Sequence, residues 1–343
     1  MAQHAGQLIG PPFLHAGGGV RSMVLQTMFA LALLAGLYAI LYDPHYLLRW
    51  SGFVALGIAL EVLHNLLAEG RFRIRSGSSA VTAALLIMSI PTTAPALPVA
   101  FALVLAVFVV RMQQNTGSGL NLNPMLLGRL FLMVAYGTEI VGWTVPGVDT
   151  DAVTTATPLE LFHSEAAVHD LGGLLVGRIG GMWEDWYRMV PGSPGEMFGV
   201  VIVILGVVLF LRGVLAWRPG VSFVLSFLAA SAVLGQPLLF SLFSGSVLFA
   251  AVFIAGDPGS LPAGRGGQWA AGCVAGAVNA LVRSFTFYSE GIVFAFLAAN
   301  LLTPTFDRIA FTLRGRHLRR LQQRAASRRA AHRGSGPAPG AAE

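Results

Sequence analysis

Long apolar runs dominate this chain, divided by short polar breaks. Runs such as VIVILGVVLFL are continuous, where a barrel strand would alternate apolar and polar positions. Many approach the roughly 20 residues that a helix needs to span a bilayer. The pattern predicts spans at about 23–42, 50–68, 77–91, 96–112, 125–143, 197–215, 220–236, 238–256, 267–284 and 288–303. The third is short and begins polar (SGSSAVTAALLIMSI), so a broken or half-depth helix is expected there. The expected fold is an all-α polytopic membrane protein with about ten transmembrane helices.

Composition sharpens this. Of 343 residues, 55% are hydrophobic and 11% charged, against roughly 25% charged in soluble domains. The net charge is +6, and every basic residue is arginine. The arginines gather at span ends and in the tail, so no nucleic-acid partner is expected. Cys273 is the only cysteine. It excludes an internal disulfide and a self-contained cysteine-ligated cluster, and its apolar run predicts a buried, inert thiol. The first 20 residues lack a charged start before the first span, so no secretory signal is expected.

Arginine placement sets the orientation. With a cytoplasmic N-terminus, 18 of the 22 arginines face the cytoplasm, nine of them from Arg308 to Arg333. Arg49, Arg178, Arg188 and Arg283 face outward. Both termini are therefore expected on the cytoplasmic side. The expected organisation is a cytoplasmic segment 1–22, five helices over 23–143, an acidic extracytoplasmic connection 144–196, five helices over 197–303 and a basic tail 304–343. The tail suits an interfacial helix on anionic lipid followed by disorder, or a partner-docking segment.

Two stretches resemble each other. SGSSAVTAALLIMSIPTTAP from Ser76 and SGSVLFAAVFIAGDPGSLP from Ser244 both open Ser-Gly-Ser and stop at proline, about 168 residues apart. They fall on the third and eighth spans. Five spans per half give the halves opposite orientation, the inverted-repeat plan of many transporters. The alternative is that small residues recur simply because they aid helix packing.

Several motifs carry candidate chemistry. In DAVTTATPLE, Thr157-Pro158-Leu159-Glu160 forms a capping box, which suffices as a helix start. Asp151 and Thr154 precede Thr157 at steps of three. A phosphate-bearing group on Thr157 would gain from the helix N-terminus. Glu61, His64 and Asn65 share one helix face. An intramembrane Glu61 is either a functional group or a carboxylate paired with a nearby arginine. Asp257 and Glu290 lie where spans end or begin, as helix caps or as parts of an ion route. The loop NTGSGLNLNP, with Gly117, Gly119 and Asn123, suits either a phosphate or flavin edge or a plain turn. His163 and His169 flank Glu165 on different helix faces, so neither a metal site nor a catalytic triad is expected.

These blocks resemble, in order, the family of the D subunit of Rnf electron-transport complexes and the B subunit of sodium-pumping NADH:quinone oxidoreductase. The matching stretches are SGSSAVTAALLIMSIP, GSGLNLNPMLLGRLFLMVAYGTEIVGW, DAVTTATPL, GSVLFAAVFIAGDPGSLPAGR and NALVRSFTFYSEGIVFAFLAANLLTPTFDR. The resemblance implies a ten-helix inverted repeat. It implies FMN joined through its phosphate to Thr157, with Asp151 and Thr154 in the attachment motif and a flavin transferase for maturation. It also implies a second, non-covalent flavin in some members, partner subunits, and electron transfer coupled to Na⁺ or H⁺ movement. Thr155 stands where the family has glycine, Gly256 precedes Asp257-Pro258 where it has threonine, and Arg111 stands where it has lysine. The chain thus resembles a divergent member.

The function expected is an electron relay through FMN on Thr157 in a multi-subunit membrane complex. Glu61, Asp257 and Glu290 are the candidates for ion coupling, and no acid/base catalyst is expected. The competing readings are an inverted-repeat channel or transporter for a small solute, and a structural membrane subunit without flavin.

Overall fold

The structure is a computed structural model. It describes residues 19–70, 72, 74, 76–115, 122–137, 192–286 and 291–312, with backbone alone at 69, 111–115 and 240. Thr157, Asp151, Thr154, Gly117, Gly119 and Glu290 lie outside the described residues, as does the tail beyond 312. Among the described residues the protein is all-helical, without a strand.

Every predicted span overlaps a helix. The first half holds α1 (Val20–Leu41), α2 (His45–Glu69), α3 (Ser78–Met88), α4 (Ala96–Asn115) and α5 (Pro124–Ala135). The second holds α6 (Gly199–Leu211), α7 (Trp217–Val233), α8 (Leu238–Phe243), α9 (Val247–Phe249), α10 (Arg265–Phe285) and α11 (Ile292–Thr312). Val20–Leu41, His45–Ala68 and Ile292–Thr312 are long and apolar enough to cross a membrane, by length and composition. The shorter apolar helices include Ser78–Met88, Gly199–Leu211 and Trp217–Val233.

The third span is the short helix its sequence predicts, with 11 residues. The eighth departs from the continuous helix expected over 238–256. It breaks at Ser244-Gly245-Ser246, where Gly245 takes φ 67°. After α9 it continues as a π-helical turn over Ala250–Ile254, marked by Ala255 N–H donating to the Ala250 carbonyl at 2.7 Å. Such turns interrupt helices at functional places. The equivalent glycine of the first half, Gly77, has φ 77°. Both Ser-Gly-Ser motifs therefore place glycine in the left-handed region just before a buried helix, where a side chain would be strained.

Helices α7 and α10 form the most extensive pair. Small residues let them approach: a Cβ on Gly276 would lie 2.4 Å from the Phe223 carbonyl oxygen. Cys273, at the edge of that contact, is exposed, which corrects the buried thiol expected from its apolar run. An apolar run is buried on only one face when its helix packs on one side. Of the acidic connection expected over 144–196, only the end is described. Its last five residues, Gly192 to Glu196, are buried inside the protein.

A cavity between two interrupted helices

One end of the bundle encloses a cavity of about 630 Å³. Its walls come from the starts of α1, α3 and α5, the end of α4, the α6–α7 turn and the chain after α9. Both interrupted helices reach it from opposite ends, α3 by its first residues and α9 by its exit.

Local sequence explains each polar group. Asn123 caps α5, its Oδ1 accepting from Met125 N–H at 3.0 Å, with Pro124 at the first helical position. Its amide Nδ2 then donates to Asp257 Oδ2 at 3.3 Å, joining the two halves of the chain. Asp257 caps the turn Pro258–Ser260 by accepting from Gly259 N–H at 3.2 Å and from Ser260 Oγ at 3.3 Å. Burial pushes the Asp257 carboxyl above its ordinary value of 3.8, while the Gly259 and Ser260 bonds pull it back. Asp257 lines the cavity wall together with Pro258 and Gly259.

Ser76, Ser78 and Ser79 form the facing rim. Glu61 holds that rim from behind. Its Oε1 accepts from Ser76 N–H at 2.9 Å, Gly77 N–H at 3.1 Å and Ser76 Oγ at 3.4 Å. Its Oε2 accepts from Ser79 N–H at 3.4 Å. The residue is 0% exposed. These bonds give Glu61 the role of a cap: a carboxylate at a helix N-terminus satisfies orphan N–H groups and opposes the helix dipole. Asn65 is buried on the same face, and His64 lies edge-on to Phe108 with ring centroids 5.7 Å apart.

Of the residues singled out from sequence, Asn123 and Asp257 come together at the cavity, and Glu61 supports its rim. Sequence reasoning missed the rim serines as lining groups, although the repeated Ser-Gly-Ser marked them. It also missed Thr27 and Thr82, which line the wall with their helices' apolar residues.

The far end of the bundle has a different character. Tyr38, Tyr42 and Tyr46 cluster there, the Tyr38 and Tyr46 ring centroids 4.6 Å apart. The Tyr46 hydroxyl donates to the Ile87 carbonyl at 3.5 Å, and Arg49 donates to the Thr92 and Ala94 carbonyls.

Known proteins resemble this chain over most of its length. The D subunit of an ion-translocating oxidoreductase complex from Pseudomonas paraeruginosa is 27% identical, over 87% of this chain and 92% of its own. The B subunit of a Na⁺-translocating NADH-quinone reductase from Klebsiella pneumoniae is 30% identical, over 88% of this chain and 71% of its own. The D subunit of a Na⁺-translocating ferredoxin:NAD⁺ oxidoreductase complex from Acetobacterium woodii is 29% identical, over 74% of this chain and 78% of its own. Residues 8–313 match the family described as NQR2, RnfD, RnfE, which takes in both interrupted helices and the cavity between them. On that match, this chain belongs to the NQR2, RnfD, RnfE family.

Proposed function

We propose that this chain is the multi-pass inner-membrane subunit of an ion-translocating oxidoreductase complex, working with other subunits of an Rnf-like or Nqr-like assembly. In this reading ten helices form two inverted five-helix repeats, with both termini cytoplasmic and the connection from residue 144 outside. FMN is joined by a phosphoester to Thr157, after a flavin transferase acts on the segment containing Asp151 and Thr154. The cavity lies at the cytoplasmic end and takes a second, non-covalent flavin.

The convergence of both interrupted helices with Asn123 and Asp257 on one cavity carries this reading. The volume falls in the range of small-ligand sites, and mostly apolar walls with a few polar groups are the usual recipe. Val81, Leu85, Val107 and Phe253 suit a flat aromatic ring system. The rim hydroxyls and the Asn123 amide offer donors for ring carbonyls, and the Asp257 carboxylate offers an acceptor for a ring N–H. Bound flavin supplies one- and two-electron transfer. The chain's own groups orient it and exclude water. Asp257 and Glu290 are the candidates for ion coupling near the span ends. Glu61 acts on that path through the rim it holds.

The test is a denaturing gel under ultraviolet light, on protein co-expressed with a flavin transferase. A fluorescent band is expected in wild type and lost in Thr157→Ala. A dark wild-type band, beside a control protein that does fluoresce, sinks the covalent reading at Thr157.

A further inference from the structure

The chain re-enters the bundle from the extracytoplasmic connection as a buried, non-helical wedge. Gly192, Ser193, Pro194, Gly195 and Glu196 are all buried. Connections ordinarily run over the surface, because buried irregular backbone must find partners for its polar groups. Here the partners are the two interrupted helices. Gly195 N–H donates at 2.8 Å to the carbonyl of Met88, the last residue of α3. Glu196 Oε1 accepts from Ser246 Oγ at 3.3 Å, in the turn that opens α9, and from Ser193 Oγ at 2.7 Å.

The fit leaves no slack. A Cβ on Gly195 would lie 2.9 Å from the Met88 carbonyl oxygen and 3.1 Å from the Phe249 ring. Across the same turn, the Arg283 guanidinium donates to the carbonyls of Ser241 and Ser244 and to Ser244 Oγ, each at 3.0 Å. Glu196 is 6% exposed and Arg283 3%. Two buried charged side chains are thus bonded to one three-residue break. A buried charge is costly unless it is well partnered, and removing one partner leaves the other uncompensated. Arg283 on the same turn disfavours a resident cation, so Glu196 acts by position.

We propose that the wedge Gly192–Glu196 couples the extracytoplasmic connection to both interrupted helices, with Glu196 as the positioning residue that ties it to the start of α9. This inference rests on the reading of the chain as an ion-translocating electron carrier. A shift of the wedge moves the end of α3 and the start of α9 together, because it is bonded to both. Paths through inverted repeats run where interrupted helices meet, and small shifts at packed junctions become discrete rearrangements.

The test uses the assembled complex in sealed membrane vesicles, with electron transfer and charge translocation followed together. Glu196→Gln keeps the side chain's shape but removes its charge, and Ser246→Ala removes one donor. Both are expected to keep the fluorescent flavin band and electron transfer within about twofold of wild type. Ions moved per electron are expected to fall at least about threefold in Glu196→Gln, and less in Ser246→Ala and Glu196→Asp. A purely structural role would lower both rates together and leave the ratio unchanged, which overturns the proposal. An unchanged ratio with unchanged rates overturns it too, as does a wild-type complex that transfers electrons without moving ions. Where Glu196→Gln fails to assemble, the ratio in Ser246→Ala decides. A dark wild-type band removes the Thr157 reading only, and the ratio still judges the wedge.

Discussion

Replacing Glu61 separates a structural cap from a group on an ion route. In Glu61→Ala the N–H groups of Ser76 and Gly77, bonded at 2.9 and 3.1 Å, lose their acceptor, and Ser79 N–H loses its longer contact at 3.4 Å. The site is buried, so water replaces these bonds poorly. Each bond to a charged acceptor is worth about 1.5–3 kcal/mol, and orphaning a buried donor costs roughly 1–3 kcal/mol. The two shorter bonds alone imply a loss of about 3–5 kcal/mol. For a chain of this size that corresponds to a fall of roughly 4–10 °C in Tm. Glu61→Gln keeps one oxygen for Ser76 and Gly77 but turns an NH₂ toward Ser79 and removes the charge opposing the α3 dipole. Its loss is expected at about 1–2 kcal/mol, between wild type and Ala.

The assay is thermal unfolding of the purified protein in detergent, followed by intrinsic tryptophan fluorescence. The order wild type, Gln, Ala is the signature of a cap. Under the proposed function, retention of a flavin in the cavity gives a second readout, since Ser76, Ser78 and Ser79 line it. An Ala variant that unfolds within about 1 °C of wild type refutes the capping account. Ion coupling lost at unchanged stability would instead put Glu61 on the ion route itself.

Three further substitutions test the fold and the site. Gly276→Ala should destabilise strongly, by about 1–3 kcal/mol or more, because its Cβ would meet backbone atoms of α7 at 2.4 and 2.7 Å. Gly36→Ala meets nothing within 4 Å, and as a helix-interior glycine it should gain about 0.5–1 kcal/mol by thermal unfolding. Asp257→Asn should flatten the dependence of stability on pH. The raised native carboxyl means the wild type loses stability as pH climbs from the ordinary value of 3.8 through the native one, while Asn does not titrate. Melting curves from pH 4 to 7 check this, and a wild type that gains stability over that range would reverse the sign.

Much of the fold was legible because membrane helices announce themselves by length and apolarity. The half-depth third span was legible for a second reason: its polar start and following proline leave room for only 11 helical residues. The eighth span hid its break because Ser244-Gly245-Ser246 sits inside an apolar run, and a window of hydropathy averages over three small residues. Only its likeness to the stretch from Ser76 marked the place. Charged residues show the limit most clearly. Glu61 and Glu196 read in sequence as an intramembrane acid and a loop acid. In the fold each is buried against a Ser-Gly-Ser turn that opens an interrupted helix, accepting from Ser76 in one case and Ser246 in the other. Sequence reports the cost of burying a carboxylate, but the donors that offset it come from 15 and 50 residues away. The two turns share a sequence, yet their carboxylates come from non-equivalent places, one from α2 and one from the wedge after the connection. The likeness of the two turns therefore lies in the backbone and not in the groups that anchor them. The Glu61 anchor belongs to the first half alone, whereas Glu196 sits in a wedge that Gly195 also bonds to the end of α3, so the second turn is tied to both halves of the chain.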